Sequence, residues 1–198
     1  MPILTAAPSR SSNLAAFTDT LPGKILVGLA ATLVVAAAAH VSIPLPFTPV
    51  PLTLQPLAVL GVGLALGPVA GFFTMLAYLV EGAAGLPVFS PTGPGGPMQL
   101  FGATGGYLLA YPFVAAIAGG VAQSLSNRIA RFTAAFIGCT LAIALLFACG
   151  AGWLMTVTHL PLHQTWIAAV APFLPGEAVK VIVAAGIYST LTRARRIQ

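Results

Sequence analysis

Acidic residues are nearly absent from this sequence. Among 198 residues there are three, Asp19, Glu81 and Glu177, against eight Lys and Arg. Charged residues total 6%, where a soluble domain carries about 25%. So few charges cannot solvate a globular surface. With 58% hydrophobic residues and a mean hydropathy of +0.99, the chain is an integral membrane protein. The alternating ten-residue segments of a membrane β-barrel are missing as well. A nucleotide motif is also lacking, since the glycine-rich stretch 93–96 has no GxxxxGK[ST] lysine. Energy for any transport must therefore come from an ion gradient or a partner. Cysteine is scarce: Cys139 and Cys149 stand ten residues apart in one predicted helix. That is ~15 Å of rise, too far for a disulfide, and both are read as small buried hydrophobes.

The positive balance, net +5 with pI ≈ 9.8, does not indicate nucleic acid. Arg10, Lys24, Arg128, Arg131, Arg193, Arg195 and Arg196 stand at the ends of apolar runs, as cytoplasmic anchors do. Lys180 alone lies within one. These positions predict six helices with both termini cytoplasmic: a tail over 1–23, a membrane domain over 24–192 and a basic tail over 193–198. A signal peptide is a weaker reading of the first run, which is long enough to span and is followed by further spans.

The first helix is expected over 24–41. Gly28, Thr32 and Ala36 recur every four residues on it, a flat strip where another helix can approach. His40, at its end, reads as an interfacial polar residue. Residues 42–56 hold five prolines, which no helix survives, yet the loop is apolar. Two short helices, about 56–66 and 68–80, follow, separated by Gly67-Pro68. Glu81 ends the pair and is read as solvent-facing. A glycine- and proline-rich segment of about twenty residues comes next, the length of a lid or binding loop. A fourth helix is expected over 104–123 and a fifth over 132–155. A short loop with His159, His163 and Trp166 follows. The two histidines are four apart, but Pro161 divides them and no carboxylate or thiol is near, so no metal site is assigned. The sixth helix starts near Pro172 or Pro175.

That last helix carries Glu177 and Lys180, three residues apart and on one face, one to two turns inside the outer boundary. Charge at membrane depth is costly and marks a site. Two readings stand: an internal ion pair, or the polar floor of a pocket for a small amphipathic molecule capped by apolar outer loops.

Four motifs carry a resemblance. Ile43-Pro44-Leu45-Pro46-Phe47-Thr48-Pro49-Val50-Pro51-Leu52-Thr53-Leu54-Gln55, Gly85-Leu86-Pro87-Val88-Phe89, Gly102-Ala103-Thr104-Gly105-Gly106-Tyr107 and the stretch Pro172 to Lys180 stand in the order found in the BioY family. These are the biotin-specific substrate-binding (S) components of energy-coupling-factor (ECF) vitamin transporters. The similarity spans about residues 25–190. Two positions depart from the family pattern: Ala103 where Pro is usual, and Glu177 where Asp is usual. The resemblance implies a multi-pass protein of the bacterial cell membrane and six helices around an outward biotin pocket. It implies biotin, membrane lipid, a transmembrane coupling subunit and ATPase subunits as partners, with no enzymatic activity and no cofactor. It places Glu177 and Lys180 at the ligand; on chemical grounds Glu177 is then expected to accept a ureido N–H, and Lys180 to donate to the ureido oxygen or neutralise Glu177. Phe47, Phe89 and Tyr107 are then expected to wrap the fused ring, and Thr48, Gln55, Ser90 or Thr92 to meet the carboxylate tail. Gly28, Thr32 and Ala36 become the expected docking strip for the coupling subunit. A component for a different small vitamin is the main alternative. An intramembrane enzyme using Glu81, Glu177 and His40 lacks any HExxH or Ser/Lys pattern, and an assembly subunit would bind no small molecule.

Overall fold

Proline and glycine divide the apolar sequence into its helices. The computed structural model describes residues 20–194, so most of the expected 1–23 and 193–198 tails lies outside the described residues. Helix α1 is Leu21–His40; Thr20 caps it by accepting from the Gly23 amide at 3.2 Å, and a proline occupies its first turn. It ends where the proline-rich loop begins. That loop is pinched at its base by two short antiparallel strands, β1 (Ser42–Ile43) and β2 (Leu52–Thr53), with Ser42 opposite Thr53.

Helix α2, Gln55–Ala83, is broken at Gly67, whose φ of 82° and ψ of 178° lie outside helical space. Only glycine adopts that conformation without strain, and Pro68 then starts the return. Gln55 Nε2 lies 2.7 Å from the Tyr78 hydroxyl. Twenty-three residues of straight helix would separate them by ~35 Å. The arms 55–66 and 68–83 therefore fold back as a hairpin, as the Gly67-Pro68 break predicts.

Helix α3 (Gly96–Phe101) interrupts the glycine-rich segment, which was expected to be irregular throughout. Helices α4 (Gly105–Leu125) and α5 (Arg131–Thr158) follow the expected spans closely. Helix α6 (Leu162–Ala169) was expected as loop. It is short and amphipathic, with Thr165, Ala168 and Ala169 buried and Leu162 and Trp166 facing outward. A 3-10 turn, Ala171–Phe173, leads into α7 (Leu174–Ala194). The six predicted membrane helices are thus α1, the two arms of α2, α4, α5 and α7.

The helices approach closely because small residues line their contacts. Helix α4 packs most heavily, against α2 on one side and α5 on the other. A methyl group on Gly63 would fall on the Ala115 carbonyl of α4, and one on Gly119 would fall on the Gly63 carbonyl. At the far side, a methyl on Gly106 would meet the Cys149 carbonyl and Trp153 of α5. This close packing draws the loops 42–54, 84–104 and 159–173 to one end of the bundle. At the other end, Arg131 donates to the Thr192 carbonyl at 2.5 Å and ties α5 to the end of α7.

Gly63→Val is expected to lower stability by more than the ~1–3 kcal/mol of ordinary overpacking, because the obstacle is backbone. Gly61→Ala, two residues away with nothing within 4 Å of its added carbon, should leave the protein as stable or more so. Thermal unfolding of both variants in detergent checks this.

Candidate functional site

Helix α7 brings its acid and base together at the loop-bearing end. Lys180 Nζ lies 2.5 Å from Glu177 Oε1 and 2.6 Å from the Thr53 carbonyl. Both residues are buried, with exposures of 6% and 5%. Lysine has three protons to donate and carboxylate only accepts. One ammonium therefore serves the floor helix and the end of the proline-rich loop at once. The second carboxylate oxygen, Glu177 Oε2, is buried and has no hydrogen-bond partner. An unmet buried acceptor is costly, so a further donor at Glu177 Oε2 would be favourable.

Glu177 borders a cavity of about 60 Å³, room for a few waters. Its roof is Val50, Pro51, Leu52 and Thr53 from the first loop. Gln55 and Pro56 of α2, Ser90 of the second loop and Gln99 of α3 form one wall. Thr104 just before α4, Tyr107, Leu108 and Tyr111 of α4, Leu146 and Phe147 of α5 and Phe173 complete it. The lining is a ring of apolar and aromatic groups with a few convergent polar ones, the usual composition of a small-molecule site.

Of the residues expected at a ligand, Gln55, Ser90, Tyr107 and Glu177 line this cavity. Thr92 stands behind Ser90, their hydroxyls 2.9 Å apart. Thr48 holds the loop in place instead, since its hydroxyl donates to the Ala168 carbonyl at 2.6 Å and fastens the roof to α6. Phe47 is 61% exposed on the outside of the loop and does not reach the cavity. Phe89 is buried behind the wall, its ring edge-on to Tyr78 at 5.5 Å and against Gly82. Lys180 lies under the roof rather than in the lining. Gln99, Thr104, Tyr111, Phe147 and Phe173 also line the cavity without having been singled out. All but Thr104 lie in helical segments whose rotation a single sequence does not reveal, although Tyr111 follows Tyr107 by four and so shares its face.

The strip on α1 faces inward, which corrects its reading as a docking surface. Thr32 is 1% exposed, with its hydroxyl 2.8 Å from the Leu29 carbonyl and 3.0 Å from Glu81 Oε1. Gly28 lies against Thr74, and Ala36 is buried. The strip is the seam between α1 and the second arm of α2. Glu81 is likewise half-buried and bound to Thr32, not solvent-facing. His40 bonds only its own helix, at the Ala36 carbonyl, 2.8 Å away.

A relay links the second loop to the cavity wall. Gln55 donates to the Tyr78 hydroxyl at 2.7 Å, and that hydroxyl donates to the Val88 carbonyl at 2.7 Å. Tyr78 is fully buried. Ser90 enters the cavity two residues beyond the anchored carbonyl.

The arrangement defines a class: a helical membrane protein with a small, partly polar cavity under loops at one end of its bundle. Residues 11–197 match the BioY family. The chain is 35% identical over 158 residues to the probable biotin transporter BioY of Pyrococcus horikoshii, covering 80% of this chain and 90% of that one. It is 36% identical over 179 residues to the biotin transporter BioY of Rhodobacter capsulatus, covering 86% and 93% respectively. The fold is similar to the crystal structure at 2.1 Å of the S-component for biotin from an ECF-type ABC transporter. That match has a TM-score of 0.79 and covers 94% of this chain and 95% of the other, at 24% identity. The chain belongs to the BioY family.

Tyr78→Phe keeps the ring and removes the relay, leaving the Gln55 amide and the Val88 carbonyl unpartnered at a cost of ~1–3 kcal/mol. Hydrogen exchange should quicken over residues 84–92 and stay unchanged over α5.

Proposed function

We propose that this chain takes up biotin, binding it in the cavity above Glu177 and passing it across the bacterial cell membrane with an ATP-driven ECF module. The observation that carries this reading is the unpartnered Glu177 Oε2 at the floor of a cavity ringed by Tyr107, Phe147 and Phe173. A ureido ring offers N–H donors to that oxygen, and the aromatic ring fits an apolar bicycle. Ser90, Gln99 and Thr104, on the loop side, are the donors for the carboxylate tail. Relatives named as biotin transporters and the shared fold support the assignment.

The cavity of about 60 Å³ is well below the ~300 Å³ where ligand sites usually begin. Ligand entry therefore requires the roof to move. Besides apolar packing of Val50 and Leu52, two polar contacts hold the roof, Thr48 to Ala168 and Lys180 to Thr53, and these can break and re-form. Lys24, Arg128, Arg131 and Arg193 gather at the opposite end of the bundle, which the positive-inside rule assigns to the cytoplasm. The pocket then faces outward. With no nucleotide motif in the chain itself, a coupling subunit and ATPases of such a module are the energy source this reading assigns.

Calorimetric titration of the purified protein with biotin tests the reading. One biotin per chain is expected. Glu177→Ala should weaken binding about 10- to 100-fold, as loss of a hydrogen bond to a charged group does. Lys180→Ala should weaken it too, because the carboxylate loses its counter-charge and the roof its tether. Parent-like affinity in both variants would refute the site, and selective binding of another vitamin would refute the ligand.

A further inference from the structure

Three buried tyrosines stand at or beside the cavity, and two have committed their hydroxyls. Tyr78 donates to Val88 and accepts from Gln55. Tyr107 donates to the Ala169 carbonyl at 2.6 Å. Tyr111, one turn further along α4 on the same face, is 3% exposed and lines the cavity. Its hydroxyl makes no hydrogen bond among the described residues. Buried tyrosine hydroxyls usually find a partner, and phenylalanine would fill the same space without a polar atom.

We propose that the Tyr111 hydroxyl is the donor that meets the ureido carbonyl of the ligand, opposite the N–H that Glu177 accepts. The inference rests on the biotin reading and adds a specificity-determining residue to it. An unpartnered donor and an unpartnered acceptor, Tyr111 and Glu177 Oε2, border one cavity. A cyclic urea presents the complementary pair, a C=O and an N–H on adjacent atoms of one ring. Lys180, the other candidate for the carbonyl, is engaged by Glu177 and Thr53 and stands outside the lining. A ligand with N–H groups but no carbonyl leaves Tyr111 unsatisfied, so the hydroxyl discriminates ureas from such isosteres.

The test compares the parent with Tyr111→Phe against biotin, biotin amide and 2-iminobiotin, in which a protonated imino group replaces the carbonyl. The variant should bind biotin and biotin amide about tenfold more weakly, and 2-iminobiotin as the parent does. Equal weakening for all three would make Tyr111 a packing residue and overturn the proposal. Weakening for biotin but not its amide would move the hydroxyl to the carboxylate tail, and no weakening would remove it from the ligand; either result overturns it. A measurement on the parent alone guards against a misfolded variant. Isotope-edited infrared of biotin labelled at the ureido carbon should show the carbonyl stretch lowered on binding below its value in an aprotic solvent, and an unshifted band would refute the contact. Failure of the parent to bind biotin would instead refute the function proposed above, before any variant is compared.

Discussion

The Lys180 ammonium donates at once to Glu177, three residues earlier on the same helix, and to the Thr53 carbonyl at the end of the first loop. Floor and roof of the cavity thereby depend on one group with an exposure of 6%. Removing one partner of such a pair strands a charge in a medium that cannot solvate it, at about 3–5 kcal/mol. The pair also leaves Glu177 Oε2 unmet. Lys180 meets one carboxylate oxygen and leaves the other open, and an open acceptor is what a ligand N–H can use. An ammonium held between two fixed acceptors keeps the acid in place.

Everything around that contact serves to deliver its parts. The Gly67 break returns α2 on itself, so Gln55 and Tyr78, far apart in sequence, meet beside the roof. Glycines 63, 106 and 119 bring α2, α4 and α5 within backbone contact, which leaves no slack at the rigid end of the cavity. The loops are secured by a few polar contacts instead, among them Thr48 to Ala168, Lys180 to Thr53 and Tyr78 to Val88. A packed bundle with individually latched loops can open at one end without disturbing its helices. That division between rigid walls and releasable cover suits a protein that must both enclose a ligand and let it go.

The hairpin, the six helices and the special status of Glu177 and Lys180 were legible in the sequence, because proline, glycine and intramembrane charge act locally and strongly. Helix α6 was not: it is amphipathic, but eight residues following Pro161 are too few for that spacing to be told from a loop. Side-chain direction within loops was the larger loss. Phe47 and Phe89 are both aromatic residues in apolar loops, yet one points out and the other plugs the space between Tyr78 and Gly82. Thr48 was expected at the ligand and spends its hydroxyl on a carbonyl 120 residues away. The strip Gly28, Thr32 and Ala36 was legible as a close-packing surface, but Glu81 and Thr74 of the same chain occupy it. Sequence spacing shows that a face is flat and leaves open which helix lies on it.

The central claim is that this cavity is built around a urea, with Glu177 as the acceptor fixed by Lys180. Mass spectrometry of the ligand carried through gentle purification tests it most directly. The account predicts biotin, at one molecule per chain, lost when Glu177 is replaced by alanine. A different vitamin in the parent, or biotin retained in full by the Glu177→Ala protein, would contradict it.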